Sequence, residues 1–422
     1  MRYIILSLAI IASFSVSYGQ AISQQDYVNL NPITTSMPFL AINPDSRSGA
    51  MGDAGTTLSA NSSSIYWNTA MLNFAEDDAE IGLSYVPWLR QLTNDMSLSY
   101  LSGYKRINER NAIAGSLRYF SLGEITYTDN SGNVLRDDKP SEFEIALGYA
   151  FKLSKKQSIG VNGKFAYSNL TGGIVVPGAG QSKAGIAGIA DLSYVLRNDE
   201  ARWFDRRGVY TFGVTINNIG NKIAYSDLSR RDFLPANIKI GSSYTVEIDD
   251  YNKFTYSLEF QKLLVPTPPL YAQDANGAYY IAAGRSNDVG VIAGAVQSFY
   301  DAPGFVMYDA SNQKEMNPDG SYKIEKGSKF KEEMREINIA TGFEYWYNNL
   351  FALRGGYFYE DPTKGGRQFF TAGIGLQYNM FGIDISYLAP LKRNNPLANT
   401  LRFTLRLKLG QKKTNDNNDA PE

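Results

Sequence analysis

The chain has 422 residues, 43% of them hydrophobic, and its formal net charge is −1. It contains no cysteine and no histidine, which excludes disulfides, thiolate or imidazole metal sites, cysteine nucleophiles and every triad that uses a histidine base. The near-zero charge gives no indication of a polyanion-binding surface, so nucleic acid is not an expected partner.

The first predicted element is a secretory signal peptide over residues 1–19. Arg2 precedes the apolar run IILSLAIIASFSV, and small residues lead to Gly19, after which we expect cleavage. The run is shorter than the roughly 20 residues that a membrane-spanning helix needs. No later apolar stretch reaches that length, so we expect an exported protein that no helix holds in a membrane.

Residues 20–76 form a mostly polar, proline-broken segment. It contains PDSRSGAMGDAG (44–55), whose glycines follow a spacing that suggests phosphate binding. A dinucleotide-binding loop lies between a strand and a helix of a βαβ unit, and the sequence predicts no such unit. The stretch PGAGQSK (177–183) lacks the Gly-Lys-Ser/Thr order of a P-loop. We therefore expect no nucleotide site.

From residue 77 to residue 410 the sequence repeats a two-residue period. EFEIALGYAFKL (142–153) and TLRFTLRLKL (400–409) each place apolar residues on one face of a strand and polar residues on the other. About 14 such segments have the length of tilted membrane-spanning strands. They begin near residues 77, 94, 112, 141, 158, 184, 209, 236, 253, 335, 350, 368, 381 and 399.

The connections between these segments alternate in length. The short ones are 108–111, 154–157, 249–252, 348–349 and 379–380; the long ones are 128–140, 170–183, 220–235, 265–334, 361–367 and 390–398, while 198–208 is long for a short-turn position. Short periplasmic turns and long outer loops are typical of outer-membrane barrels. A soluble all-β sandwich or barrel, the rival fold, has no reason to alternate. We predict an all-β fold: a transmembrane antiparallel barrel of about 14 strands with both termini periplasmic.

In this fold the aromatic and leucine-rich face contacts outer-membrane lipid, and the other face lines an interior of mixed charge. The predicted interior residues are Glu144, Lys164, Asp191, Lys239, Glu259, Glu336, Arg354, Asp384, Arg402 and Arg406. The predicted interfacial aromatics are Tyr85, Trp88, Tyr104, Tyr345, Tyr347, Tyr357 and Tyr387. We expect ion pairs and water in the interior, which is partly plugged.

The connection at 265–334 is the largest irregular feature, and a loop of this length is usually functional. Within it, 287–304 predicts a short helix capped by Asn287 or Asp288, and Glu332 and Glu333 are expected on a solvated segment. Residues 411–422 are expected to be a disordered polar tail. We find no residue constellation for catalysis, a metal or a cofactor.

The N-terminal stretch 39–74 resembles the corresponding segment of the PorV family of FadL-like barrels, which are outer-membrane components of the type IX secretion system of Bacteroidetes. The signature residues that carry the resemblance include Asp45, Arg47, Gly49, Gly52, Asp53, Gly55, Trp67 and Asn68. In FadL-like barrels this segment tucks into the lumen. The resemblance therefore implies that the glycines serve tight turns and close packing, and that Asp45, Arg47 and Asp53 pair with lumen charges.

The resemblance also implies a non-enzymatic role beside the large translocon barrel of the secretion system. Such proteins receive cargo through its C-terminal signal domain and pass it to surface sortase and attachment proteins. The loop 265–334 would be a contact surface, with Phe299, Tyr300 and Pro303 as candidate anchors; local packing of the loop is the other explanation of these residues. Residues 305–329 depart from the family pattern as an elaboration of that loop.

A FadL-like outer-membrane transporter of hydrophobic small molecules is the alternative function. The charged interior face argues against an apolar ligand.

Overall fold

The computed structural model describes residues 29–90, 93, 95–128, 131–170, 175–176, 180–203, 206–226, 231–392 and 397–410. The predicted signal peptide (1–19) and tail (411–422) lie outside these residues. Within the described residues, fourteen strands form one closed antiparallel barrel in which each strand pairs with the next and the last pairs with the first. The predicted fold and strand number are confirmed.

The barrel strands are β1 Ala79–Pro87, β2 Ser97–Arg106, β3 Asn111–Ser121, β4 Ser141–Lys152, β5 Gln157–Asn169, β6 Gly185–Trp203, β7 Arg206–Gly220, β8 Asn237–Glu247, β9 Asn252–Leu263, β10 Ile337–Tyr347, β11 Phe351–Tyr359, β12 Gln368–Tyr378, β13 Phe381–Pro390 and β14 Thr400–Leu409. Small two-stranded sheets lie in three connections, at Ile125–Thr128 with Val134–Asp138, Val175–Val176 with Gly180–Gln181, and Leu270–Gln273 with Tyr279–Ala283.

The connections define two different ends of the barrel. At the short-turn end, strands are joined by 107–110, 153–156, 204–205, 248–251, 348–350 and 379–380; at the long-loop end, they are joined by 88–96, 122–140, 170–184, 221–236, 264–336, 360–367 and 391–399. The connection predicted at 198–208 is shorter than expected, because β6 extends to Trp203, β7 begins at Arg206 and Asn198 pairs with Tyr210. The alternation is therefore more regular than the sequence indicated.

The two faces of the strands differ as the period of two predicts. On β4, Ile145, Leu147 and Tyr149 are exposed, whereas Glu142 and Glu144 are buried. Tyr104 is an exception to the predicted outer aromatics. It is only 5% exposed and lies on the inward face of β2, because the strand alternates and both Leu101 and Gly103 lie on the outward face.

Helical structure is short and lies outside the barrel wall. Among the described residues, two helices, α1 Ser46–Gly49 and α2 Ser64–Trp67, and the 3₁₀ turns Pro38–Ala41 and Thr69–Phe74 precede β1. Helices α3 Val291–Gln297 and α4 Ser328–Arg335 lie in the connection 264–336, which we call the long loop. The residue at the N-cap of α3 is Gly290, not Asn287 or Asp288. No helix among the described residues is long and apolar enough to cross a membrane.

Candidate functional site

The residues that precede β1 lie among the inward-facing side chains of the barrel. We call residues 29–75 the N-terminal arm. The backbone N–H of Ser46 donates to Thr404 Oγ1 of β14 at 2.9 Å, and that of Gly52 donates to Thr371 Oγ1 of β12 at 2.9 Å. Glu259 of β9 accepts the backbone N–H groups of both Gly55 and Thr56, at 3.1 and 2.9 Å. The strands thus supply the partners that the irregular backbone of the arm requires.

Arg47 joins the arm to the wall through a bidentate ion pair. Its Nε and Nη2 each lie 2.8 Å from a carboxylate oxygen of Glu344 on β10, and its Nη1 donates to the carbonyl oxygen of Ser59 at 2.9 Å. Both charged side chains are buried. This two-point geometry fixes the orientation of the guanidinium plane as well as the position of its charge.

The ion pair continues as a chain of alternating charges along the wall. Glu344 also accepts from Arg354 at 2.7 Å, and Arg354 donates to Asp384 at 2.7 Å. Asp384 accepts from Arg406 at 2.9 Å, and Arg406 lies 3.6 Å from Glu80. Glu344 and Asp384 each lie between two arginines, which compensates their buried charges. The predicted ion-paired interior is observed.

A second contact links the signature residues to β14. Asp53 Oδ1 lies 2.8 Å from Nη1 of the buried Arg402. A Cβ atom on Gly49 would lie 2.2 Å from the same guanidinium nitrogen, so residue 49 must lack a side chain for Arg402 to reach Asp53. Asp45 caps α1 by accepting from the N–H of Ser48 at 2.9 Å, and it also accepts from Trp67 Nε1 at 2.5 Å.

Position 52 requires a glycine for two reasons. Its φ of +69° lies in the left-handed region, and a Cβ at this position would lie 2.6 Å from backbone atoms of Thr341 and Tyr357. Gly55 faces Trp67, whose ring would be 2.1 Å from a Cβ on residue 55. These glycines therefore allow close packing of backbone and indole, which accounts for their presence without a phosphate.

Trp67 and Asn68 complete the set of signature residues. The Nζ of Lys239, a buried lysine on β8, lies 4.3 Å from the centre of the Trp67 ring. Asn68 donates to the carbonyl oxygen of Thr56 at 3.0 Å, and its side-chain oxygen accepts from the N–H of Ala70 at 3.1 Å. The structure thus brings all eight signature residues into one interior site.

Several strand residues of this interior are absent from the residues predicted to line it. Glu80, Arg118 and Glu344 are buried on inward faces. Each lies between outward apolar neighbours, as Arg118 does between Leu117 and Tyr119. The two-residue period of the sequence therefore indicates that these residues face the interior. Glu336 was wrongly assigned to a strand; it follows α4 and precedes β10.

A polar cavity of about 530 Å³ lies next to the arm toward the short-turn end. Arg47, Glu344 and Arg406 line it together with polar side chains near the ends of β8, β9 and β12. In the described part of the chain, no group of three or more Asp and Glu side chains could hold a metal ion. The absence of a cofactor stays a prediction.

Helix α4 anchors the long loop to the barrel. Glu332 and Glu333 are buried, and so the prediction that they lie on a solvated segment was wrong. Lys364 Nζ lies 2.7 Å from Glu332 and 2.9 Å from Glu336, while Lys262 Nζ lies 2.5 Å from Glu336 and 3.5 Å from Glu333. Lysines on the end of β9 and on the connection after β11 therefore draw the acidic face of α4 inward.

The outer surface of the long loop carries exposed apolar side chains. Phe299 and Tyr300 are 53% and 52% exposed, and Ile292, Val296 and Phe330 are also exposed. Arg285 stacks over the Tyr300 ring at 4.6 Å. Pro303, the third candidate anchor, is buried, and its ring is not offered to a partner in this structure.

A closed antiparallel barrel with an apolar outer face and an ion-paired interior defines the outer-membrane class of β-barrels. The chain matches the family of the type IX secretion system protein PorV over residues 23–270, which is more than half its length, and it belongs to that family. Membership makes it an outer-membrane component of the type IX secretion system. The match includes the whole arm and β1–β9 and ends within the first residues of the long loop.

Solved barrels with similarity to the chain include hydrocarbon transporters. The toluene transporter TbuX of Ralstonia pickettii is 11% identical, with 86% of this chain and 98% of that chain covered and a TM-score of 0.44. The toluene transporter TodX of Pseudomonas putida is 12% identical (85% and 95% covered, TM-score 0.44), and a FadL homologue of Pseudomonas aeruginosa is 11% identical (89% and 98% covered, TM-score 0.39). Similarity this low gives no information on a substrate. A search of curated proteins found no match.

Proposed function

We propose that the chain is a non-enzymatic docking component of the secretion system. In this role it associates with the large translocon barrel, receives cargo through its C-terminal signal domain and passes the cargo to the surface sortase and attachment proteins. The long-loop end faces the cell surface and the short-turn end faces the periplasm, as is usual for outer-membrane barrels.

The occupied interior is the observation that carries this proposal. The arm is held by Arg47–Glu344, by Asp53–Arg402 and by Glu259, three contacts to different parts of the wall. Moving the arm aside would separate buried charges, which is costly because each partner would be left uncompensated. A barrel closed in this way is suited to binding partners on its outside rather than to passing a substrate through.

The anchored long loop supports the same role. The lysine contacts of α4 fix the base of the loop, while Phe299 and Tyr300 remain exposed on its surface. Exposed aromatic side chains on a rigid support are typical of residues that dominate binding energy. We therefore propose Phe299 and Tyr300 as partner-binding residues, with Pro303 shaping the loop from within.

The alternative function, transport of hydrophobic small molecules, is favoured by one observation. Near the long-loop end the interior contains an apolar cluster in which Phe39 and Leu40 of the arm pack with Val86, Leu98 and Phe120 of the wall. An apolar ligand would fit such surroundings. In this structure the arm's own side chains occupy them.

Purification in gentle detergent followed by mass spectrometry tests the docking role. We expect the wild-type chain to retain a very large barrel and cargo proteins, and the Phe299→Ser/Tyr300→Ser variant to lose them. Tyr378→Ser is the matched control, because Tyr378 is an exposed aromatic at the short-turn end. Loss of hydrophobic-substrate uptake on deletion, without loss of secretion, would instead support transport.

A further inference from the structure

The first described residues of the arm lie at the long-loop end of the barrel. The backbone N–H of Asn31 donates to the carbonyl oxygen of Thr363, in the connection after β11, at 3.0 Å. Its side-chain amide donates to the carbonyl oxygen of Pro268 at 3.1 Å and to Glu332 of α4 at 3.4 Å. All three partners belong to connections at the long-loop end, so the chain enters the barrel there.

The next residues of the arm lie just inside that end. The N–H of Ser36 donates to the carbonyl oxygen of Phe233, in the connection 221–236, at 2.8 Å. The ring of Phe39 is parallel to that of Phe120, near the end of β3, with ring centres 6.4 Å apart. Arg118, one inward position deeper on β3, donates to the carbonyl oxygen of Phe39 at 3.2 Å.

The later residues of the arm reach the opposite end. Arg47 and Ser46 contact the middle of the wall, as described above. The Asn73 side chain hydrogen-bonds with Ser158 Oγ, near the start of β5, at 2.7 Å. Arg106, the last residue of β2, donates to the carbonyl oxygen of Ala75 at 3.1 Å. These partners lie at the short-turn end, where the arm continues into β1.

The order of contacts along the sequence therefore matches their depth in the barrel. We infer that the arm passes once through the barrel from the long-loop end to the short-turn end. The first described residues of the arm then lie on the same side of the membrane as the long loops, opposite to Gly410, whose carbonyl oxygen accepts from the N–H of Asp78 at 3.1 Å at the foot of β1. This inference concerns the described residues 29–410 and does not depend on the secretion role; the expectation that both termini are periplasmic stays a prediction.

The passage has two consequences. The start of the arm, clamped by Pro268 and Glu332 of the long loop, belongs to the surface that a partner meets on that side. The wall must also close around the arm, because β1 directly follows it and pairs with β14.

Single cysteines can test this topology because the natural chain contains none. Leu30→Cys reports on the arm, since Leu30 is 42% exposed. Ser311→Cys is the control for the long-loop end and Lys155→Cys the control for the short-turn end, and both positions are exposed. Intact cells are treated with a membrane-impermeant maleimide, and parallel samples are treated after permeabilisation and after unfolding.

We expect the thiol at position 30 to react under the same conditions as the thiol at position 311, and the thiol at position 155 to show the opposite accessibility. Reaction of position 30 in parallel with position 155 would overturn the inference. So would a thiol at position 30 that reacts only after unfolding. An epitope inserted directly before Asn29 provides a second measurement, and antibody binding to it must follow accessibility of position 311.

Discussion

Gly52 of the arm lies directly against Gly356 of β11: its backbone nitrogen is 2.1 Å from the point that a Cβ on residue 356 would occupy. Because a backbone atom cannot move aside as a flexible side chain can, Gly356→Ala must displace the arm or the strand. We expect this variant to lower the free energy of unfolding by about 1–3 kcal/mol, the usual cost of overpacking. Urea-dependent unfolding of the barrel in lipid vesicles measures this free energy.

Gly163→Ala is the control for that prediction, since a Cβ on the outward-facing Gly163 has no atom within 4 Å. Equal stability of the Gly356→Ala and Gly163→Ala barrels would show that the arm does not pack against β11 as described.

The ion pair between Arg47 and Glu344 predicts a large effect of a single substitution. Arg47→Met removes one partner of a buried pair, which typically costs roughly 3–5 kcal/mol, and we expect the lower part of this range because Arg354 still compensates Glu344. The exposed pair Lys139–Glu124 is the control. We expect Lys139→Met to leave stability unchanged, because exposed pairs contribute little. If the Arg47→Met variant were as stable as the wild-type chain, the ion pair with Glu344 would not be the main anchor of the arm.

Substitutions at two equally exposed apolar residues can distinguish the lipid-facing wall from the water-exposed surface of the long loop. Leu147 on β4 and Phe330 on α4 are both 71% exposed. Leu147→Arg places a charge in the membrane and is expected to cost about 2–4 kcal/mol if Leu147 lies near the bilayer midplane. Phe330→Arg places the same charge in water, so barrel stability should not change. Refolding yield in vesicles distinguishes the two, and similar losses would contradict the face assignment.

Neighbouring glutamates of the long loop predict opposite pH dependences. Burial raises the pKa of Glu333, although the N–H of Ala302 and Lys262 act against it. Burial also acts to raise the pKa of Glu336, but Lys364 and Lys262 outweigh it and lower the pKa. The favourable contribution of Glu333 is therefore complete in acid and is lost as the pH rises through its folded pKa, whereas that of Glu336 is complete at neutral pH and is lost as the pH falls through its folded pKa.

At about pH 8 we therefore expect Glu333→Gln to make the long loop more resistant to limited proteolysis and Glu336→Gln to make it less resistant. Both differences from the wild-type chain should shrink on acidification. The same direction of change in the two variants would show that the lysine contacts of α4 are not as described.

The strands and their faces could be predicted because lipid contact imposes an apolar residue at every second position. The contacts across the interior could not. Arg47 and Glu344 are 297 residues apart in sequence, and no local pattern indicates which lumen charge meets which. The resemblance singled out the signature residues, but only the structure shows that Gly49 leaves room for Arg402 and that Gly52 packs on two strands.

The same limit explains the errors in the long loop. The sequence SKFKEEMR of α4 looks like a solvated helix, and its burial depends on Lys262 and Lys364, which lie on other elements. Tyr104 was predicted to be an interfacial aromatic from its residue type, although the alternation of β2 places it on the inward face. Tertiary partners thus decide the burial of α4, whereas for Tyr104 the alternation of the strand decides it.

Export of cargo from a strain that lacks this chain tests the central claim most directly. The strain is complemented with the wild-type chain, with Phe299→Ser/Tyr300→Ser or with Tyr378→Ser, and cargo is measured at the cell surface and in the periplasm. We predict that the wild-type chain and Tyr378→Ser restore surface cargo, whereas the double variant reaches the outer membrane in normal amounts and leaves cargo in the periplasm. Normal export from the strain without the chain would contradict the account.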